Sequence, residues 1–160
     1  GALRGVFAGS DESLKFQACL PLLRDFHDAD AWIYVLDQVA STDPSRVLIA
    51  FNWIGDTKNC GQPPHPKLLQ RIGELLAAKG DQRRAAVQAL GAFTGDETNR
   101  LLVKLLADED AAIVRQAEAA IQAQPNRELV RRLLSEALLA SQDSPRRSQV
   151  ELLLARLEQK

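Results

Sequence analysis

The sequence predicts an all-α protein, an α-solenoid in which antiparallel helix pairs stack into a superhelix. Three observations predict it. Aliphatic residues recur at a nearly constant interval: Leu22, Ile54, Leu90, Ile121 and Leu153 are 32, 36, 31 and 32 residues apart. A second series, earlier in each unit, reads Phe7, Val39, Leu76, Leu106 and Leu138. Between these markers the apolar residues fall at helical spacing, and no valine- or isoleucine-rich alternation suits a strand. A period in this range marks a stacked array, because a single helical hairpin cannot bury its apolar face alone.

The elements follow in order. A helix over 12–26 starts at Asp11-Glu12, acidic residues that suit a helix N-terminus, and stops near His27-Asp28. Helices over 31–40 and 45–55 carry the markers Val39 and Ile54. The stretch Thr57–Pro66 then forbids helix, since it holds Gly61, Pro63, Pro64 and Pro66. A helix over 66–79 carries Leu76, and one over 81–93 puts Val87 and Leu90 in phase with Ala86 and Ala89. Thr94-Gly95-Asp96 breaks it. Leu101, Leu102, Leu105 and Leu106 stripe the next helix, over 97–107. Asp108-Glu109-Asp110 precedes a helix over 111–123 whose buried face is Val114, Ala117 and Ile121. After Pro125-Asn126, a helix over 126–140 buries Leu129, Val130, Leu133, Leu134 and Leu138. Ser144-Pro145, a cap followed by a first-turn proline, opens the last helix over 145–158.

These elements form one array with repeat units at roughly 1–26, 31–55, 66–93, 97–123 and 126–158. Phe7 and Leu3 fall at the end of a first helix whose beginning is missing, and no methionine occurs anywhere. Residues 1–160 therefore read as the C-terminal part of a longer protein. Basic residues number 20 and acidic residues 21, so the chain lacks the basic field of a dedicated nucleic-acid binder. No apolar run approaches the roughly 18 residues that cross a bilayer. Two cysteines in different units make no disulfide framework and suit a reducing cytoplasm.

Residues 83–96 resemble the second helix and turn of a HEAT-type repeat of the phycobilisome-lyase-like group. That pattern has an arginine, then small residues, then leucine-glycine, and Arg84, Ala86, Ala89, Leu90 and Gly91 fill it. Arg115, Ala117, Ala120 and Ile121 fill four of the slots again 31 residues on. Ala50, Ile54 and Gly55 match earlier with Leu48 in place of the arginine. Arg147 and Leu153 match later, with Gln149 and Leu152 in place of alanines. The likeness is strongest over 80–124. It implies a right-handed superhelix used as a scaffold for protein contacts, and does not by itself imply lyase chemistry. Small residues also have a plain physical role, since they let helix axes of neighbouring units approach. Trp53 occupies one of these alanine slots beside the long loop, so the loop is expected to fold back over its indole.

Chemistry-bearing residues are sparse. Arg84, Arg115 and Arg147 recur at 31 and 32, either as a ladder for carboxylates and phosphates or as partners of Asp81, Asp108 to Asp110 and Asp143. Pairing within the array is the favoured reading. The arginine pairs 83–84, 131–132 and 146–147 have no interleaved aromatic residues to stack bases. Cys60 and His65 mark the loop as a candidate functional segment, but they supply only half of a zinc site. Cys19 falls in a buried slot, and His27 reads as a helix-end residue. No His-Glu pair, phosphate loop or nucleophile elbow occurs, so no catalytic residue, metal or cofactor is assigned. The expectation is a non-enzymatic protein-interaction scaffold whose partner is another protein or another domain of the same chain. Its contacts would come from second-helix residues outside the buried stripe: Asn52, Arg84, Gln88, Arg115 and Glu151. The alternatives are the C-terminal helical domain of a larger enzyme such as a metallopeptidase, and a chromophore-lyase subunit. Nucleic-acid binding is the weakest.

Overall fold

The computed structural model describes residues 5–7, 9–57, 61–140 and 145–159, with the side chains of 145 and 146 left aside. The described residues form nine α-helices and no strand: α1 Glu12–Phe26, α2 Ala29–Gln38, α3 Pro44–Asp56, α4 Pro66–Leu76, α5 Asp81–Leu90, α6 Asp96–Leu105, α7 Ala111–Ala123, α8 Arg127–Ala140 and α9 Pro145–Glu158. None of them is long and apolar enough to cross a membrane.

Short polar side chains set most helix starts. The carboxylates of Asp11, Asp28, Asp43 and Asp110 accept first-turn N–H groups of α1, α2, α3 and α7. Asn126 does the same for α8. The Asp28 cap brings the start of α2 forward to Ala29 from the expected residue 31. Pro44 and Pro66 occupy the first positions of α3 and α4, where a missing N–H costs nothing. Helices α4 and α5 end about three residues before the spacing predicts. Their last turns tighten to i→i−3 bonds, Ala78 N–H to Leu75 O (3.0 Å) and Phe93 N–H to Leu90 O (3.2 Å), which use up the orphan carbonyls.

Sequence neighbours pack in pairs, α4 on α5, α6 on α7 and α8 on α9, with α2 touching both α1 and α3. Next-but-one helices then touch: α3 meets α5, α5 meets α7 and α7 meets α9. Among the even helices α2 meets α4 and α6 meets α8, while α4 and α6 make little contact and leave a groove of about 440 Å³ lined by Leu76 and Leu101. Small residues explain the α5–α7 approach. Ala89 and Ala117 are fully buried, and a Cβ on Gly91 would stand 3.2 Å from that of Ala120.

The core runs along the whole chain, from Cys19 and Leu22 through Ile54, Leu90 and Ile121 to Leu153. Its largest member, Trp32, is fully buried, with its ring 5.1 Å from Phe93. Trp53 corrects an expectation. Its indole lies 4.7 Å from the Phe16 ring on α1, so the wide side chain fills the space between α1 and α3. The described part of the loop, 61–65, packs elsewhere, on the α5–α6 corner: Gln62 O accepts the Thr94 N–H (3.0 Å), and Pro63 lies where a Cβ on Gly95 would come within 3.2 Å. Gly95 has φ 108°, a conformation that L side chains rarely adopt. It thus accommodates both the turn and the proline.

Candidate functional site

The partner-binding candidates all lie on odd-numbered helices. Asn52 on α3, Arg84 on α5, Arg115 on α7 and Glu151 on α9 are exposed. Gln88 on α5 is half-buried, because its amide faces α3: a Cβ on Gly55 would stand 3.0 Å from Gln88 Nε2. The recurring arginines do not behave alike. Arg84 pairs with Asp81 one turn earlier, and Arg147 pairs with Glu151 at 3.0 Å. Arg115 has no ion-pair partner among the described residues. Both pairs are exposed on each side, where such contacts are worth about 0–1 kcal/mol. They can be exchanged for another carboxylate or guanidinium at little cost.

Arg83, next to Arg84, instead makes an ion pair between helix pairs. Its guanidinium reaches the Asp108 carboxylate in the α6–α7 turn, and the Asp108 side chain is only 5% exposed. Asp108 also accepts the Asp110 N–H at 2.9 Å.

Of the two loop candidates, Cys60 lies outside the described residues. His65 is the N-cap of α4, with Nδ1 accepting the Lys67 N–H at 3.3 Å. It lines a cleft of about 450 Å³ together with His27, Asp30, Gln62, Lys67 and Phe93. Both histidines of the chain therefore share one cleft, although they lie far apart in sequence. His27 caps α1 in the left-handed region (φ 46°), and its ring lies 6.3 Å from Phe93, edge to face. Its Nδ1 is shielded without a partner, and burial pulls its pKa below the ordinary imidazole value. Lys67 and Asp30 pair at 2.5 Å beside it.

Chemically the cleft offers polar contacts and little reactivity. No group of three metal-ligating side chains is assembled among the described residues. Cys19 does not line the cleft. It is fully buried, its Sγ approaches Ala31 O at 3.6 Å, and burial pushes its thiol up to about 12. Two residues that hold neighbouring units together carried no sequence signal of type. Gln124, 2% exposed, donates from Nε2 to Phe93 O at 3.0 Å. The Gln62–Thr94 bond does the same one unit earlier. Their separations, 31 and 32, equal the repeat interval, and that coincidence is the signal that could have found them. Compared with models of known protein families and with curated proteins, the chain matches none.

Proposed function

We propose that this chain is a non-enzymatic protein-interaction scaffold, built as a HEAT-like α-solenoid whose odd-numbered helices present a continuous flank to a partner. The observation that carries this reading is the order of contacts. Packing runs mainly between adjacent and next-but-one helices, with α2 also reaching α5, and the odd helices from α3 to α9 touch in sequence without a break. That is the contact order expected of a stack in which each unit meets only its neighbours. Along the flank stand Asn52, Arg84, Gln88, Arg115 and Glu151, of mixed charge and with two weak surface ion pairs open to exchange. Such a surface suits modest, adaptable contacts with a partner too large for a pocket.

The test is cross-linked capture of partners by the wild-type chain and by the charge-reversed R84E/R115E variant, with captured proteins identified by mass spectrometry. The reading expects a defined set of partners that the reversed flank loses. An identical set with both proteins overturns the flank assignment. The shape is tested separately by small-angle scattering. A compact 160-residue domain has a radius of gyration of about 15 Å. A stack of helix pairs roughly 10 Å apart extends it to about 17 Å.

A further inference from the structure

A second site stands where α7 ends, α8 begins and α9 ends. A cleft of about 400 Å³ opens there, lined by Gln122, Arg127, Arg156, Leu157 and Gln159. Three arginines reach this end of the molecule, and they are used differently. Arg131 donates from Nη2 to the Leu157 carbonyl at 2.8 Å, capping the end of α9. Arg127 and Arg156 make no side-chain hydrogen bond or ion pair with any described residue, and both line the cleft. Arg127 Nη1 is closed off from solvent without an acceptor. A shielded charged N–H without a partner is costly, and native structures rarely keep one unless a ligand, an ion or water supplies the acceptor. Its place adds to the cost: Arg127 is the first residue of α8, where the helix dipole disfavours a cation and favours an anion.

We infer that this cleft binds an oxyanion carried by a peptide segment of a partner, a carboxylate or a phosphorylated side chain, gripped by Arg127 and Arg156. The planar forks of two guanidinium groups match either oxyanion, and the amides of Gln122 and Gln159 add neutral donors at the rim. No carboxylate of a described residue lines the cleft to compete. None of the five flank residues Asn52, Arg84, Gln88, Arg115 and Glu151 lines this cleft, so the two assignments are tested by different variants.

Fluorescence anisotropy at low salt tests it with three labelled peptides of equal length: one rich in glutamate, one in which phosphoserines replace the glutamates, and one with glutamines. The inference expects one or both anionic peptides to bind and the glutamine peptide not to. The stronger of the two identifies the oxyanion. R127Q and R156Q should each weaken binding at least about tenfold, while R100Q, an exposed arginine of α6, leaves it unchanged. Because R127Q removes a costly charge with no partner, its melting temperature should equal or exceed that of the wild type. The anionic peptide should raise the melting temperature of the wild type alone. Failure of both anionic peptides to bind, equal binding by the glutamine peptide, or full binding by the R127Q/R156Q double variant overturns the site.

Discussion

The Arg83–Asp108 pair joins the α4–α5 unit to the α6–α7 unit, and its strength can be worked out from its burial. The Asp108 side chain is 5% exposed and that of Arg83 30%. Asp108→Asn keeps the side-chain volume and an oxygen for the Asp110 N–H, but it removes the charge that faces the guanidinium. Breaking a fully buried pair costs about 3–5 kcal/mol because the remaining charge is stranded. Here the remaining charge is Arg83, which keeps part of its hydration, so the expected loss is roughly 1–2 kcal/mol. For a chain of this length that is a fall of about 3–6 °C in melting temperature. Urea unfolding followed by circular dichroism measures it, and a double-mutant cycle with Arg83→Gln isolates the pair, with an expected coupling of about 1 kcal/mol. The neighbouring Arg84 is the control. Its pair with Asp81 is 48% exposed on both sides, and Arg84→Gln should cost less than about 0.5 kcal/mol. If D108N and R83Q simply add, within about 0.3 kcal/mol, the pair does not couple the units and the reasoning fails.

Three further outcomes are expected. Gln124→Ala orphans the Phe93 carbonyl and empties a buried site, a loss of about 2 kcal/mol in urea unfolding; a change indistinguishable from zero would mean that water replaces the amide. Burial lowers the pKa of His27 in the folded chain, so on acidification the unfolded chain takes up its proton first, near the ordinary 6.5. Stability should therefore fall as pH drops through 6.5. His27→Asn, which tolerates the left-handed φ, should flatten the urea midpoint between pH 7.5 and 5.5, and parallel slopes would contradict it. The depressed carboxyls of Glu12, Asp25 and Glu74 titrate below that window. With its thiol near 12, Cys19 at pH 8 is thiolate in only about one molecule in ten thousand. Peptide-mapped alkylation of Cys19 should be slow in native buffer and fast in urea, and equal rates would show that the α1–α2 contact opens readily.

Helix type and number were legible because one face of each helix must be apolar at a 3.6-residue period, whatever the neighbours. Val87, Leu90, Val114 and Ile121 show that pattern in one dimension. Boundaries were less legible because they depend on a single capping atom or on the last turn tightening, as at Asp28 and at Ala78. Partner choice was the least legible. Arg83 and Arg84 are adjacent and identical, yet they point about a third of a helical turn apart, so one meets Asp108 and the other Asp81. Trp53 was read as a mark of the nearby loop because both interrupt the same unit. The indole instead found Phe16, which lies 37 residues earlier and in no shared motif. His27 and His65 came from different units, and only the folding of 61–65 toward the α5–α6 corner set them in one cleft.

The contacts around α5 are of two different kinds. Along the odd helices the contacts are short-range and apolar, set by Ala89, Gly91, Ala117 and Ala120, whose size lets α5 and α7 approach closely. Between α4 and α6 the helices stand apart, and beside that groove Arg83 of α5 pairs with Asp108 of the α6–α7 turn. Apolar packing resists separation and rotation alike, because every displacement loses close contacts. An ion pair on a flexible arginine stem tolerates small rotations. The α5–α7 contact is therefore the stiff element between the two central units, and the groove beside Leu76 and Leu101 is where their relative angle can change at least cost. Small side chains on one flank and a charged link on the other make the same interface rigid along one edge and compliant along the other.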